Sequence, residues 1–184
     1  MSRIATPATI EAAPAAAQPL LAAVKRQIGF APNLFRVIAN SPAALEGYVG
    51  LNTALAKGAL PPATRERIAL AVAEINGCNY CLSAHTYIGK NLAHLDDAEI
   101  AANRNGTSAD PTADGAVRLA VKIVNSRGHV ADADVAAARL AGLGDAELIE
   151  VVLHVALNTL TNYVNEVAGT EIDFPVALPA RRAA

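Results

Sequence analysis

Apolar and polar residues follow a helical period along most of this chain, and runs with strand-like alternation are scarce. The clearest case is segment 63–76, where Ile68, Leu70, Val72 and Ile75 interleave with alanines, making a helix apolar nearly all round. Such a helix is buried. Leu45, Val49, Leu51 and Leu55 form a stripe on a helix that Ser41 caps and Pro42 starts, ending near Gly58.

The same punctuation places the remaining elements. Pro19 opens a helix that stops at Gly29, 33–39 reads as a short helix, and Pro61-Pro62 launches the apolar one. A new helix begins after Gly77 and runs to about Lys90. Asp96-Asp97 caps a helix ending at Asn105-Gly106, and Asp110-Pro111 starts another toward Arg127. Asp132 is expected to cap 133–141, and 145–168 forms a long helix closed by Gly169. The expected class is all-α, with about eight or nine helices in a single domain over 19–184. A loosely held arm, 1–18, precedes it, the core of interest lies at 63–90, and a proline-containing extended tail starts at 170.

Composition fits that class and narrows the function. Of the 184 residues, 53% are hydrophobic, with four Tyr, three Phe and no Trp, as in cores of close-packed, alanine-rich helices. A net charge of -2, no basic block and few aromatics exclude a nucleic-acid footprint. No apolar run approaches the roughly 18 residues of a membrane span. Glu11, Pro14, Gln18 and Pro19 interrupt any signal-like apolar stretch near the start, so a cytoplasmic location is expected. In a reducing compartment a CxxC pair points to redox or metal chemistry rather than a structural staple.

That pair is Cys78 and Cys81, the two cysteines of the chain, one helical turn apart, with His85 one turn after Cys81. On one helix all three share a face. Gly77 breaks the preceding pattern, which puts both sulfurs in a first turn, where free N–H groups and a nearby histidine favour the thiolate. His85 is better placed to act on Cys81 than on Cys78, but spacing alone leaves open which sulfur attacks. Glu66, twelve residues before Cys78, would stand about 18 Å away on a straight helix, so a shared role requires the chain to bend near Gly77 or another subunit to contribute. Glu150 precedes Asn162 by the same interval, a weak echo of two related helical hairpins.

The pattern Arg65-Glu66, then Cys78-Asn79-Tyr80-Cys81 and His85, resembles the AhpD-like alkylhydroperoxidases of the carboxymuconolactone decarboxylase superfamily. The stretches Thr161-Asn162-Tyr163 and Ile172-Asp173-Phe174-Pro175 look like its peroxidase-related branch, and the likeness runs over 33–179. The resemblance implies a helical subunit, assembled as a homo-oligomer (trimer or hexamer), that reduces organic hydroperoxides without a cofactor. It also implies Cys81 as the peroxidatic thiol, Cys78 as the resolving thiol that closes a disulfide, and Glu66 and His85 as a proton relay. A dithiol or a lipoylated protein would be the reductant. Some members carry a histidine where this chain has Tyr80, a poor base at neutral pH.

Other readings bear on the same residues. Cys78, Cys81 and His85 could hold zinc with a fourth ligand such as His154, or the thiols could simply pack in a non-catalytic helical assembly module. A muconolactone decarboxylase is a further alternative, disfavoured because that branch works without the thiol pair. His154 reads as a core histidine, and His94 and His129 as surface or capping residues. Glu74 has Arg67 or Lys90 as expected partners, and Asn162 and Tyr163 are expected at the cavity or a subunit contact. The helices at 63–76 and 147–168 carry more apolar surface than one domain easily hides, which points to burial between subunits.

Overall fold

The computed structural model describes residues 2–178, and among these every regular element is helical. Nine α-helices follow a short 3-10 turn at Ala15–Ala17: α1 Gln18–Ile28, α2 Asn33–Ile38, α3 Pro42–Leu55, α4 Pro62–Ile75, α5 Asn79–Asn91, α6 Asp97–Arg104, α7 Pro111–Ser126, α8 Asp132–Leu140 and α9 Asp145–Ala168. The all-α expectation holds, and its boundaries agree because they were read from caps. Ser41 Oγ accepts the Ala44 N–H at 3.3 Å, Asp96 accepts that of Glu99 at 2.7 Å, and Asp110 accepts those of Thr112 and Ala113 at 3.0 Å.

One cap differs. Ala131, not Asp132, takes the N-cap position of α8, and Asp134 reaches back to accept the Ala131 N–H at 3.1 Å. A carboxylate three residues into a helix satisfies the same orphan donors as one at the cap, so the two registers look alike in sequence.

Helix α4 is the axle. It packs against α5, α6, α7 and α9, and Ile68, Leu70 and Val72 are fully buried. Each such side chain stabilises the fold by about 1.5–3 kcal/mol relative to exposure. Its apolar faces are therefore covered within the chain, which corrects the expectation that they lie between subunits. On one side of α4 the core joins α1, α2 and α3 to the start of α5, and includes both cysteines. On the other side α7, α8 and α9 pack around Ile68 and Val72. Ion pairs tie the periphery: Arg67 to Glu99 at 2.6 Å, Arg104 to Glu74 at 2.9 Å and Lys90 to Asp97 at 2.8 Å. Glu74 thus finds Arg104, because α6 crosses α4 and no local spacing announces that crossing.

Both ends of the described chain are fastened to helices. Ala13 and Ala17 are buried, the Arg36 guanidinium donates to the Pro7 and Ala8 carbonyls at 2.9 and 2.8 Å, and the Arg3 N–H meets the Ala168 carbonyl at 2.6 Å. At the other end the Ala177 N–H donates to Ser83 Oγ at 3.0 Å, and Phe174 packs against Phe30, Tyr80 and Tyr87. Residues 170–178 have no helix or strand, and the rest of the expected tail, 179–184, lies outside the described residues.

Candidate active site

The site is built on one turn. After α4, Gly77 takes φ 65°, a left-handed conformation that glycine adopts without the Cβ clash of other residues. The Gly77 N–H reaches the Glu74 carbonyl at 3.2 Å and the Cys78 N–H the Ala73 carbonyl at 3.0 Å, the paired bonds of a Schellman stop. Cys78 is then at once the residue that closes α4 and the N-cap of α5, its Sγ accepting the Cys81 N–H at 3.4 Å. Cys78 therefore stands just outside the first turn, and Cys81 within it. The reversal sends α5 back along α4, so Glu66 Oε2 lies 2.8 Å from His85 Nδ1. The bend that a role for Glu66 requires is present within one chain.

Both thiols are free and buried, but unequally placed. Cys81, 2% exposed, forms part of a cavity wall, whereas Cys78 at 0% lies behind it. Their acidities diverge in consequence. Cys81 is lowered to about 6, first because the Cys78 thiol donates a hydrogen bond to its sulfur. Burial opposes this, while the His85 charge and the Asn165 and Asn162 amides add to it. Asn165 Nδ2 donates to Cys81 Sγ at 3.2 Å. Cys78 is pushed up, chiefly because its proton is held by Cys81 and then by burial. One sulfur is poised as thiolate and the other as its proton donor.

His85 is shifted toward the matching charge. Burial works against the protonated ring, but the Glu66 carboxylate, by charge and hydrogen bond, and the Cys81 thiolate together raise it above its ordinary value. The His85 and Glu66 side chains keep about a fifth of their surface exposed, so the pair stands at the solvent side of the cavity.

The cavity has a volume of about 270 Å³ and is bounded by α3, α4, α5 and α9. Cys81, His85 and Glu66 share it with Tyr48 of α3, and with Asn158 and His154 of α9. Burial pushes the Tyr48 phenol up, and the charges of Cys81 and Glu66 push it further, so it faces both as a neutral hydroxyl. Tyr80 serves structure instead: its OH accepts the Leu34 N–H at 3.2 Å and donates to Asp173 at 2.8 Å, while Asp173 also accepts the Asn33 N–H at 2.7 Å. The phenol locks α2, α5 and the tail together, and burial first of all keeps it protonated.

The four residues expected from the sequence, Glu66, Cys78, Cys81 and His85, therefore converge. Glu150, the counterpart of Glu66 in the second half, does not join them, since it accepts the N–H groups of Ala59 and Leu60 at 2.7 and 2.9 Å. Tyr48 and Asn165 join them without any local signal, because α3 and α9 are brought to the cavity by packing rather than by spacing in the sequence. Asn162 is fully buried and accepts from Asn76 at 2.8 Å beside the thiols, whereas Tyr163 is 60% exposed. His154 is buried as expected of a core histidine, yet its Nε2 has no partner. Among the described residues no group of three His, Cys, Asp or Glu side chains is arranged to hold a metal ion.

Residues 42–120, from α3 into α7, match the carboxymuconolactone decarboxylase family. The fold resembles the alkylhydroperoxidase AhpD core of a peroxidase-related protein from Ralstonia eutropha JMP134, with a TM-score of 0.82 and 26% identity over 94% of this chain and 92% of that one. A peroxidase-related protein from Silicibacter sp. TM1040 gives 0.78 at 20% identity, covering 93% and 94%. A cysteine-to-alanine variant of the debrominase Bmp8, in complex with 2,3,4-tribromopyrrole, gives 0.76 at 20%, covering 94% of each chain. At that identity the last two speak for the fold alone. No curated protein sequence matches the chain. The chain thus carries a carboxymuconolactone decarboxylase family domain within a fold similar to that of AhpD-like, peroxidase-related proteins.

Proposed function

We propose that this protein is a thiol-dependent peroxidase that reduces organic hydroperoxides through a Cys81 sulfenate and a Cys78-Cys81 disulfide. The observation that carries this reading is the split in thiol acidity: a Cys81 thiolate facing a cavity, with the Cys78 proton held behind it. The Cys81 sulfur attacks the outer peroxide oxygen, the O–O bond breaks, and the alkoxide leaves as alcohol with a proton from the His85 imidazolium, which Glu66 holds in place. The neutral sulfenic acid no longer holds the Cys78 proton, so the Cys78 thiol ionises and attacks the Cys81 sulfur. The S–O bond breaks, water departs and the disulfide closes. One hydroperoxide thereby takes two electrons from the thiol pair.

A dithiol or a lipoylated protein would return those electrons, and a reducing compartment such as the cytoplasm would keep the pair ready. Among the described residues no helix is long and apolar enough to cross a membrane. Ile149, Val152, Leu160, Tyr163 and Val167 leave an exposed apolar stripe along α9, which supports assembly of this subunit into a homo-oligomer.

The test is a thiol count by mass spectrometry before and after one equivalent of an organic hydroperoxide. The expected result is rapid loss of both thiols in the wild type, a trapped sulfenate in Cys78→Ser and inertness in Cys81→Ser. Thiols that persist as long as ordinary free cysteine would overturn the proposal.

A further inference from the structure

The cavity has a second polar end that the peroxide chemistry leaves unused. His154 lies on α9 and lines the same cavity as Cys81, with only 5% of its surface exposed. Its Nε2 is buried and without a hydrogen-bond partner. An unmet ring nitrogen in such a place costs stability, and a ligand atom that completes it recovers that cost.

Position excludes a direct part in oxygen transfer. Asn165, which touches the Cys81 sulfur, and His154 are eleven residues apart on α9, about 16 Å of axial rise. One bound peroxide oxygen does not reach both. A group that meets His154 while the peroxide meets Cys81 therefore sits elsewhere on the same substrate.

The surroundings select its chemistry. Burial first, then the Arg65 charge, holds His154 below its ordinary value, so the ring is neutral near pH 7 and presents either a donor or an acceptor. Arg65, which offers only donors, lines this end and gives one of its N–H groups to the Leu55 carbonyl at 3.0 Å. The opposing fields of Glu150 and Glu66 also act on His154. With Glu66 already paired to His85, Arg65 stands against Glu150, and no net positive charge is left to favour an anion. Donors without net positive charge favour a neutral acceptor oxygen.

We infer that His154 is a substrate-positioning residue whose Nε2 binds a neutral oxygen function, such as a ketone carbonyl, carried by the organic hydroperoxide well away from its peroxide group. This rests on the peroxidase reading for the identity of the substrate, but the subsite itself is a property of the cavity.

The experiment has two arms. In the first, kcat/KM is measured for a medium-chain hydroperoxide bearing a distal ketone and for its hydrocarbon analogue of equal length. Wild type is expected to prefer the ketone by about five- to tenfold, the worth of one neutral hydrogen bond, through KM rather than kcat. In His154→Leu that ratio falls toward one, and in His154→Gln, which restores a polar group, part of it returns. In the second arm a medium-chain methyl ketone, which cannot be turned over, is titrated into reduced wild type and both variants by NMR. Binding that weakens in His154→Leu and partly returns in His154→Gln supports the subsite even if no peroxide is consumed. The inference is overturned if the ketone binds all three proteins alike, or if peroxides are turned over with the same preference in His154→Leu as in wild type.

Discussion

Removing the Cys78 thiol tests the central electrostatic claim. The first cause of the low Cys81 value, about 6 against an ordinary 9.0, is the hydrogen bond donated by Cys78. A hydrogen bond to a charged group contributes about 1.5–3 kcal/mol, and at about 1.36 kcal/mol per pH unit its loss raises the midpoint by roughly 1–2 units. Cys78→Ala should therefore titrate at about 7–8, and its thiolate fraction at pH 7 should drop from about nine-tenths to between about a half and a tenth. Cys78→Ser keeps an O–H donor in nearly the same place and should stay close to the wild type. The assay is ultraviolet thiolate absorbance against pH, with peptide mass spectrometry of alkylated Cys81 to separate the two sulfurs in the wild type. The sign of the linked stability follows. Because folding lowers this group, the stabilisation is present above its unfolded value and is lost as pH falls through about 6, and Cys78→Ala moves that loss to higher pH. A Cys78→Ala midpoint within a few tenths of a unit of wild type would refute the reasoning and leave His85 and Asn165 as the dominant partners.

Two further outcomes are expected. Glu66→Gln removes the carboxylate that raises His85, so the imidazole, followed by NMR, should titrate at lower pH. Its contribution to stability, present below the unfolded value and lost as pH rises through the folded one, should then fade earlier, and an unmoved midpoint would show that Glu66 does not act on the ring. Gly77→Ala forces a Cβ into the left-handed turn at φ 65° and should cost about 1–2 kcal/mol in urea unfolding, with Cys81 becoming less acidic as the α4–α5 reversal loosens. Unchanged stability would mean that the turn tolerates a side chain and does not set the register of the two helices.

The helices were legible in the sequence because each is a local matter: Ser41-Pro42, Asp110-Pro111 and Gly29 act on neighbours a few residues away, and the alanine-rich run in α4 is apolar whatever surrounds it. So was the spacing of Cys78, Cys81 and His85, since one helix suffices to align them. The condition on Glu66 could be stated from helical rise alone, but only the folded turn at Gly77 meets it.

Tertiary structure alone decided the rest. The two thiols stand one helical turn apart, and their different acidities come first from the proton shared between them, which Cys78 holds, and then from the groups that meet Cys81 in space. Cys78 is enclosed behind the cavity wall, and Cys81 is met by Asn165 from a helix 84 residues further on. Tyr80 could be read as a poor base, yet its actual work, joining Leu34 to Asp173 across the fold, depends on segments distant in the chain. His154 looked like a satisfied core residue because sequence reports that a position is apolar, not whether a ring nitrogen inside it finds a partner. Local periodicity fixes which face of a helix is buried. Hydrogen bonds and fields act over a few ångströms of space, and packing chooses the neighbours that supply them.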